Sequence, residues 1–174
     1  MIKAVVLYES LFGNTESIAR AIADGLDQSY EVALASFGAA PVRTTEADLI
    51  VLGGPTHGWG MTKPSSRRRP GSSAYAIGVR EWLDASPPGK GRSAAAFDTR
   101  FDKSRWLTGS AAVRIERELE RLDYRMVMPP ESFFVLHSGG PLRPGEVERA
   151  RRWGLDLARR PVAGPSDLEP SSDT

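Results

Sequence analysis

The sequence contains no cysteine and only two histidines among its 174 residues. The absence of cysteine excludes disulfides, thiolate metal sites and cysteine nucleophiles. His57 and His137 stand far apart in the sequence, which argues against a zinc site. No apolar run before Glu9 is long enough for a signal peptide or a membrane span, so we expect a cytoplasmic protein. Zinc-dependent and thiol-dependent chemistry are therefore poor candidates.

An excess of either charge is also lacking, because the chain has 23 Lys and Arg residues and 22 Asp and Glu residues, which gives a net charge of +1. This balance argues against a nucleic-acid binding surface. Hydrophobic residues make up 40% of the chain and charged residues 26%, as in ordinary globular proteins. The length predicts one domain, which we place at residues 1–160. Residues 161–174 are rich in proline and serine and are predicted to be disordered.

Strands and helices are predicted to alternate along the domain. The apolar runs indicate five strands, the fifth interrupted by prolines, at residues 2–7, 30–37, 48–54, 93–97, and 125–128 with 132–136. Amphipathic helices are predicted from Asn14 or Thr15, at 74–85, at 110–122, and from Pro144 to Ala158. The crossover at 38–48 has room for little helix. This alternation predicts a doubly wound, three-layer α/β fold with a five-stranded parallel sheet.

The segment after the first strand has the chemistry of an anion-binding loop. It contains Ser10, Leu11, Phe12, Gly13, Asn14 and Thr15. A helix that begins at Asn14 or Thr15 directs free backbone N–H groups and the positive end of its dipole into this loop. Hydroxyl and amide groups add donors, and glycine allows a close approach of the backbone. The alternative is that these polar residues only cap the helix.

The pattern Ser-x-x-Gly-Asn-Thr-Glu between a strand and a helix resembles the FMN phosphate loop of the flavodoxin family. The Gly-Gly-Pro-Thr-His turn at 53–57 and the Ala-Phe-Asp-Thr-Arg segment at 96–100 are similar to short-chain flavodoxin-domain proteins of bacteria. Leu11 and Phe12 replace two hydroxyl residues of the family motif, although their N–H groups are retained for a phosphate nest. The resemblance covers residues 1–160. It implies FMN as cofactor and a flavodoxin-like strand order, 2-1-3-4-5.

In that order strands one, three and four are neighbours, so the segments that follow them meet at one edge of the sheet. Flavodoxins hold the isoalloxazine ring with the second and third of these segments. The matching residues are Pro55, Thr56, His57, Gly58 and Trp59 together with Asp98, Thr99, Arg100 and Phe101. We expect Trp59 or Phe101 to stack on the ring. The alternatives are that Trp59 packs on the loop at 61–73 and that Phe101 covers the core.

Three polar residues of this set have two possible roles each. His57 could contact the ring or a substrate, or anchor its loop. Asp98 could accept a hydrogen bond from the pyrimidine half of the flavin, or cap the next turn. Arg100 could neutralise charge on reduced flavin, or pair with Asp102.

An FMN-binding redox protein that acts in electron transfer is the leading functional prediction, with a redox protein or a small molecule as its partner. The first alternative is a two-electron, NAD(P)H-dependent quinone reductase. The second is an interaction module of the same fold that has lost flavin binding. The reason for this alternative is that Leu11 and Phe12 replace two hydroxyl residues of the phosphate loop. A signalling receiver domain is excluded, because it needs an aspartate where strand three ends in Gly53-Gly54-Pro55.

Residues 61–73 lack periodicity and are predicted to form a mobile loop. Arg67, Arg68 and Arg69 lie within it. We expect a solvated surface loop, with binding of an acidic partner or of nucleotide phosphates as the alternative.

Overall fold

The structure of the protein is a computed structural model that describes residues 2–39, 44–67 and 77–163. Several sequence predictions lie outside these ranges: the start of the helix predicted at 74–85, Arg68 and Arg69 of the arginine run, and most of the predicted tail, residues 164–174. Within the loop predicted at 61–73, residues Pro64–Arg67 form a short 3₁₀ helix.

The described strands form one sheet in which every pairing is parallel. They are β1 (Lys3–Tyr8), β2 (Glu31–Ser36), β3 (Leu49–Pro55), β4 (Ser93–Phe101), β5 (Arg125–Met126) and β6 (Glu131–Val135). The order is β2-β1-β3-β4, with β5 and β6 both paired to β4. The predicted order is therefore confirmed, and the interrupted fifth strand consists of β5 and β6.

The described part of the chain contains five α-helices: α1 (Asn14–Leu26), α2 (Val79–Ala85), α3 (Arg105–Thr108), α4 (Ala111–Arg121) and α5 (Glu146–Ala158), of which α5 follows the last strand. The short crossover before β3 contains only a 3₁₀ turn, Thr44–Glu46, among its described residues. No described helix is long and apolar enough to cross a membrane. The three-layer α/β architecture predicted from the sequence is confirmed.

Two cores lie on opposite faces of the sheet. One is formed with α1 and α5 and contains Phe97, Phe133 and Trp153, whose rings meet edge to face. The other is formed with α2 and α4 around Ile50, Leu52 and neighbouring residues. The central strands β1 and β3 are buried on both faces, which is the usual state of a parallel sheet.

Glycines let α1 and α5 approach closely. A Cβ built on Gly154 would collide with the carbonyl oxygen of Ile22, and one built on Gly25 would collide with the carbonyl oxygen of Arg151. The first and last helices of the domain therefore pack backbone against backbone.

The predicted end of the fourth strand at Phe97 is wrong, because β4 continues to Phe101. Asp98 and Thr99 pair with β3, and the pairing with β6 extends to Phe101. Asp98 and Thr99 have neighbouring strands on both sides, whereas Arg100 and Phe101 pair with β6 alone. Alternation along the strand sends Asp98 and Arg100 to the face opposite Thr99. Residues 98–101 are therefore positioned by the sheet rather than by a loop.

The chain continues in contact with the sheet beyond residue 160. The Ala163 N–H donates to Ser93 Oγ over 2.8 Å, and Val162 packs on the first core. These contacts place the last described residues at the amino end of β4.

Candidate ligand site at the carboxyl edge of the sheet

A cavity lies where β1, β3, β4 and β6 end. Its volume is about 80 Å³, below the ~300 to 1,000 Å³ common for enclosed cofactor sites, so it is an open cleft rather than a closed pocket. Its walls are Leu11, Phe12, Asn14, Thr15, Pro55, Thr56, His57, Thr99, Arg100, Phe101, Val135 and Ser138. The structure thus brings parts of all three predicted segments together, and adds Val135 from the end of β6 and Ser138 from the loop after it.

The first wall of the cavity is the loop that leads into α1. Gly13 has φ of +88° immediately before the helix, and its N–H donates to Ser10 Oγ over 3.0 Å. A Cβ on Gly13 would meet nothing within 4 Å, so the left-handed conformation, rather than space, favours glycine. The helix begins at Asn14 with first-turn N–H groups that have no acceptor within the helix. These donors, together with the helix dipole, suit an anion.

A loop that the sequence analysis missed supports this wall. Asn14 Nδ2 donates to the Gly139 carbonyl oxygen over 3.1 Å, and Ser138 lines the cavity. A Cβ on Gly140 would lie 2.6 Å from Asn14 Oδ1. The Gly139-Gly140 pair directly after a strand was the signal that could have indicated a close backbone approach here.

Thr15 and Thr99 connect two walls of the cavity. Their hydroxyl oxygens lie 2.7 Å apart, and the residues are 2% and 4% exposed. The Thr56 N–H donates to the Thr99 carbonyl oxygen over 2.9 Å. Thr99 therefore joins the anion loop to the turn after β3.

The two apolar residues of the anion loop do not close the cavity. Leu11 and Phe12 both line it, but Phe12 is 67% exposed. An aromatic ring that is mostly in water leaves the space beside it open to a ligand.

Asp98 does not line the cavity. It is fully buried, and its Oδ2 accepts hydrogen bonds from Thr56 Oγ1 at 2.9 Å, Ser110 Oγ at 2.6 Å and the Ala112 N–H at 3.0 Å. Its Oδ1 is buried without a hydrogen-bond partner among the described residues. Of the two predicted roles, the structure supports capping, and the capped element is the start of α4.

Arg100 lines the cavity and does not pair with Asp102. Its Nε donates to Ser132 Oγ over 3.0 Å, and its Nη1 donates to the carbonyl oxygens of Phe101 and Lys103 over 3.2 and 2.6 Å. Asp102 instead accepts from Arg143 Nη1 at 2.5 Å. The alternative role of Arg100, a pair with Asp102, is therefore not the one that the structure shows, because the strand carries the Arg100 side chain toward backbone oxygens of the following turn.

Burial lowers the pKa of the Arg100 guanidinium from its ordinary value, and the nearby Asp98 carboxylate opposes this shift. The guanidinium also lies 5.1 Å from the centre of the Phe134 ring, within the range of a cation–π contact. Arginine remains protonated in proteins even when its pKa falls. Arg100 is thus a buried, fixed cation at the cavity wall.

The turn after β3 presents His57 and carries Trp59 away from the cavity walls. The His57 N–H donates to the Gly60 carbonyl oxygen over 2.8 Å, so the turn is closed. Gly58 and Trp59 have φ of +53° and +73°, and Trp59 bridges to Gly109. Trp59 is 56% exposed and is not among the cavity residues. The alternative contact of Trp59, with the loop at 61–73, reaches beyond the described residues.

Phe101 is the aromatic side chain of the third segment that lines the cavity. It is 40% exposed, so it does not serve to cover the core. Within the described ranges, no group of three or more His, Cys, Asp or Glu residues could hold a metal ion. The cavity therefore offers an anion loop, a fixed cation and an aromatic face.

No family model matches the chain, and no curated protein matches its sequence. Solved structures do match its fold. A flavodoxin from the domain Archaea shares 23% identity at a TM-score of 0.65, over 90% of this chain and 96% of that one. Oxidised Flavodoxin 2 from Bacillus cereus shares 21% identity at a TM-score of 0.65, over 90% and 97%.

A flavodoxin, WrbA-like protein from Agrobacterium tumefaciens is also similar, with 17% identity, a TM-score of 0.63 and coverage of 91% and 96%. Likeness at such identities establishes the fold alone. The chain has the flavodoxin-like fold along most of its length.

Proposed function

We propose that this protein binds FMN and acts as a redox protein in electron transfer. The observation that carries the proposal is the cavity at the carboxyl edge of a flavodoxin-like sheet, where the N-terminus of α1 and the ends of β3 and β4 meet. Ligands of doubly wound sheets bind at this edge. Solved structures named as flavodoxins have the same fold, which supports a flavin over other ligands.

The phosphate of FMN would be held by the loop at residues 10–15. Backbone N–H groups at the start of α1 and the hydroxyl of Thr15 are the donors that suit a dianion. Ser10 Oγ accepts from the Gly13 N–H and so fixes the shape of the loop. Leu11 and Phe12 contribute backbone N–H groups, which is sufficient for a nest of this kind.

The ring of FMN would lie against residues of the second and third segments. Pro55, Thr56 and His57 form one wall, and Phe101 supplies an exposed aromatic face. The cofactor supplies the electron-transfer chemistry when bound, while these residues orient it and exclude water. Gly58 and Trp59 hold the turn from outside the cavity, so we assign the stacking role to Phe101 rather than to Trp59.

An interaction module that has lost flavin is the weaker candidate. It requires that Leu11 and Phe12 close the phosphate site, whereas Phe12 is 67% exposed. We further propose a cytoplasmic location, and a redox protein or a small-molecule electron acceptor as the partner. Nucleic acids and membranes are not expected to be partners.

The test is direct measurement of flavin binding. The purified protein is denatured and the released flavin identified, and flavin-free protein is then titrated with FMN and with riboflavin by fluorescence quenching. We expect FMN to bind with a Kd of about 1 µM or below, which is about −8 kcal/mol, and riboflavin to bind more weakly. A Kd for FMN above about 100 µM, which is a binding free energy weaker than about −5.5 kcal/mol, would contradict the proposal.

A further inference from the structure

Residues 101–107, which begin at the end of β4, are all exposed and include large apolar side chains. Trp106 is 74% exposed and Leu107 is 48% exposed, and both lie on the short helix α3. Phe101, the first residue of the stretch, lines the cavity. Single exposed apolar residues are common, but a group of them marks a contact surface. Tryptophan is also among the residues that contribute most to binding at protein interfaces.

Trp59, which is also exposed, lies next to this stretch. Its backbone bridges to Gly109, the residue directly after α3. Arg114 Nε donates to the Trp59 carbonyl oxygen over 3.3 Å, so the turn after β3 is held to the end of α3 and to α4. We use the name tryptophan face for the apolar residues and cations that meet here: Trp59, Phe101, Trp106 and Leu107, with Lys103, Arg105 and Arg114.

The buried side chain of Arg100 holds the exposed stretch in a fixed shape. Arg100 is 7% exposed, and its Nη1 donates to the Lys103 carbonyl oxygen over 2.6 Å and to Thr108 Oγ1 over 3.3 Å. Within the stretch, the Lys103 N–H donates to the Phe101 carbonyl oxygen over 2.8 Å. A surface that is already ordered loses less conformational entropy when a partner binds. The tryptophan face is therefore prepared for a contact.

The charge around these apolar side chains is positive. The three cations of the face are exposed, and none of them forms an ion pair with a carboxylate in the part of the chain that the structure describes. Asp102, the carboxylate within the stretch, is paired with Arg143 at 2.5 Å. The charge of Glu116 acts on that of Arg105, but a single carboxylate cannot balance three cations. The rim of the tryptophan face therefore attracts negative charge.

We infer that the tryptophan face is the docking site of a protein partner whose contact surface has an apolar centre and an acidic rim. The apolar side chains supply the buried centre of such an interface, and the unpaired cations favour carboxylates on the partner. Because Phe101 belongs both to this face and to the cavity wall, a docked partner lies next to the cavity. Its role as electron donor or acceptor rests on the proposed function, whereas docking itself does not require the flavin.

Other occupants fit this surface less well. A second copy would bring the same positive charge to a two-fold contact between tryptophan faces, and like charges disfavour such a contact. Anionic membranes recruit clusters of ~4 to 8 cations next to the apolar anchor, more than this face carries. Nucleic acids favour strongly basic domains, and the net charge of the chain is only +1.

The test follows the indole N–H signals of the four tryptophans by NMR while a redox protein of known surface charge is added. A plant-type ferredoxin, which is an acidic iron–sulfur protein, is one probe, and the basic protein cytochrome c is the other. We expect ferredoxin to shift or broaden the signals of Trp59 and Trp106 with a Kd of about 100 µM or below. Cytochrome c should leave them unchanged. Trp82, which lies on α2, and the buried Trp153 are internal controls that should not respond to either probe.

Substitutions on the face separate its apolar and charged contributions. Trp106→Ala should raise the Kd for ferredoxin about tenfold, because it removes the most exposed ring of the face. Arg105→Glu should raise it by a similar factor and reduce its dependence on salt. For the wild type, we expect the Kd to rise about tenfold between ~0.01 M and ~0.15 M salt, since the Debye length falls from ~30 to ~8 Å.

Arg121→Glu is the matched control, because it reverses an exposed charge far from the tryptophan face. Arg121 pairs with Glu118 and ends α4. The carbonyl oxygen of the next residue, Leu122, accepts from the Gly89 N–H, at the amino end of the sheet. This variant should bind ferredoxin like the wild type.

The remaining outcomes decide against the inference in distinguishable ways. Equal responses to ferredoxin and to cytochrome c, or an unchanged Kd in Trp106→Ala, would overturn it. Self-association in sedimentation, or binding to phosphatidylserine vesicles, would assign the face to a second copy or to a lipid surface if Trp106→Ala abolished it. A protein that binds ferredoxin as expected but not FMN would retain the docking site and contradict the proposed function. One that binds FMN but not ferredoxin would do the reverse.

Discussion

The hydroxyl oxygens of Thr15 and Thr99 lie 2.7 Å apart in the wall of the cavity, although 84 residues separate them in the sequence. Each hydroxyl can donate only one hydrogen bond. When Thr99 donates to Thr15, the proton of Thr15 is free to point at a ligand. An anion next to Thr15 favours this arrangement. The hydrogen bond from Thr99 to Thr15 and the one from Thr15 to the anion then strengthen each other.

The first prediction concerns this pair. Thr15→Ala should raise the Kd for FMN about tenfold or more, since it removes a hydrogen bond to the charged phosphate, and such a bond contributes ~1.5 to 3 kcal/mol. The Kd for riboflavin, which lacks the phosphate, should change less than about threefold, because no hydrogen bond to a charged group is lost. Thr99→Val, which removes only the hydroxyl that orients Thr15, should show the same selectivity with a smaller loss, and Thr99→Ser, which retains the hydroxyl, should resemble the wild type. An equal loss for both ligands would contradict a phosphate contact.

Asp98 should be important for stability. Asp98→Asn keeps one oxygen for the three hydrogen bonds that converge on Oδ2, but it removes the negative charge and buries an NH₂ group at the position of Oδ1, which has no hydrogen-bond partner among the described residues. We expect the free energy of unfolding to fall by ~2 to 3 kcal/mol in urea denaturation. Asp102→Asn is the control, because it removes an exposed ion pair with Arg143 that should contribute less than ~1 kcal/mol. Similar losses for the two variants would contradict the assignment.

Glu146 should make the protein sensitive to acid. It is 2% exposed and accepts from Arg149, the Phe134 N–H and Arg143. Burial acts to raise the pKa of Glu146, but these hydrogen bonds outweigh it and hold the pKa below its usual value. The contribution to stability is therefore complete above the unfolded pKa of ~4.3, and is lost as pH falls through the lower folded pKa.

The variant Glu146→Gln tests this linkage. It should be less stable by ~3 kcal/mol at pH 7, because it leaves two arginines without their shared partner. Its stability should fall less steeply than that of the wild type below pH ~4. Urea denaturation across this pH range measures both quantities. Parallel pH profiles for the two proteins would show that another carboxylate is responsible.

The contact between α1 and α5 predicts a large effect of a small substitution. Gly154→Ala places a Cβ against the Ile22 carbonyl oxygen, so the helices must separate, and we expect a loss of ~2 kcal/mol or more, as in overpacked cores. Gly38→Ala adds the same methyl where nothing lies within 4 Å. It should change the free energy of unfolding by less than ~0.5 kcal/mol. Thermal unfolding of both variants decides the question.

The alternation of strands and helices could be predicted from local patterns, and the strand order followed from the family resemblance. Apolar runs that end in glycine, and polar residues at the start of an amphipathic helix, depend on neighbours in sequence. The extent of β4 could not be predicted in this way. Asp98 and Arg100 look like loop residues, and only the donors on α4 and the carbonyl oxygens after β4 make their burial in a strand possible.

The contacts made by the end of the domain were also beyond prediction. Glu146 and Arg149 lie on α5 yet bond to the backbone of the edge strand β6, and Gly139 receives Asn14 from the first helix. Such pairings depend on three-dimensional proximity and leave no periodic signal. The position of the Trp59 ring outside the cavity walls has a similar cause, since the bridge to Gly109 fixes the turn that carries this ring.

The hydrogen bond from Asn14 to Gly139 also bears on how the protein is made. It joins positions 125 residues apart, and domains fold as units during synthesis at the ribosome. The first helix leaves the exit tunnel early, but its ligand loop lacks a supporting wall until nearly all of the domain has been translated. Nascent chains that stall before residue 139 should therefore carry an incomplete cavity, and we expect the proposed cofactor to bind only after the whole domain has been made.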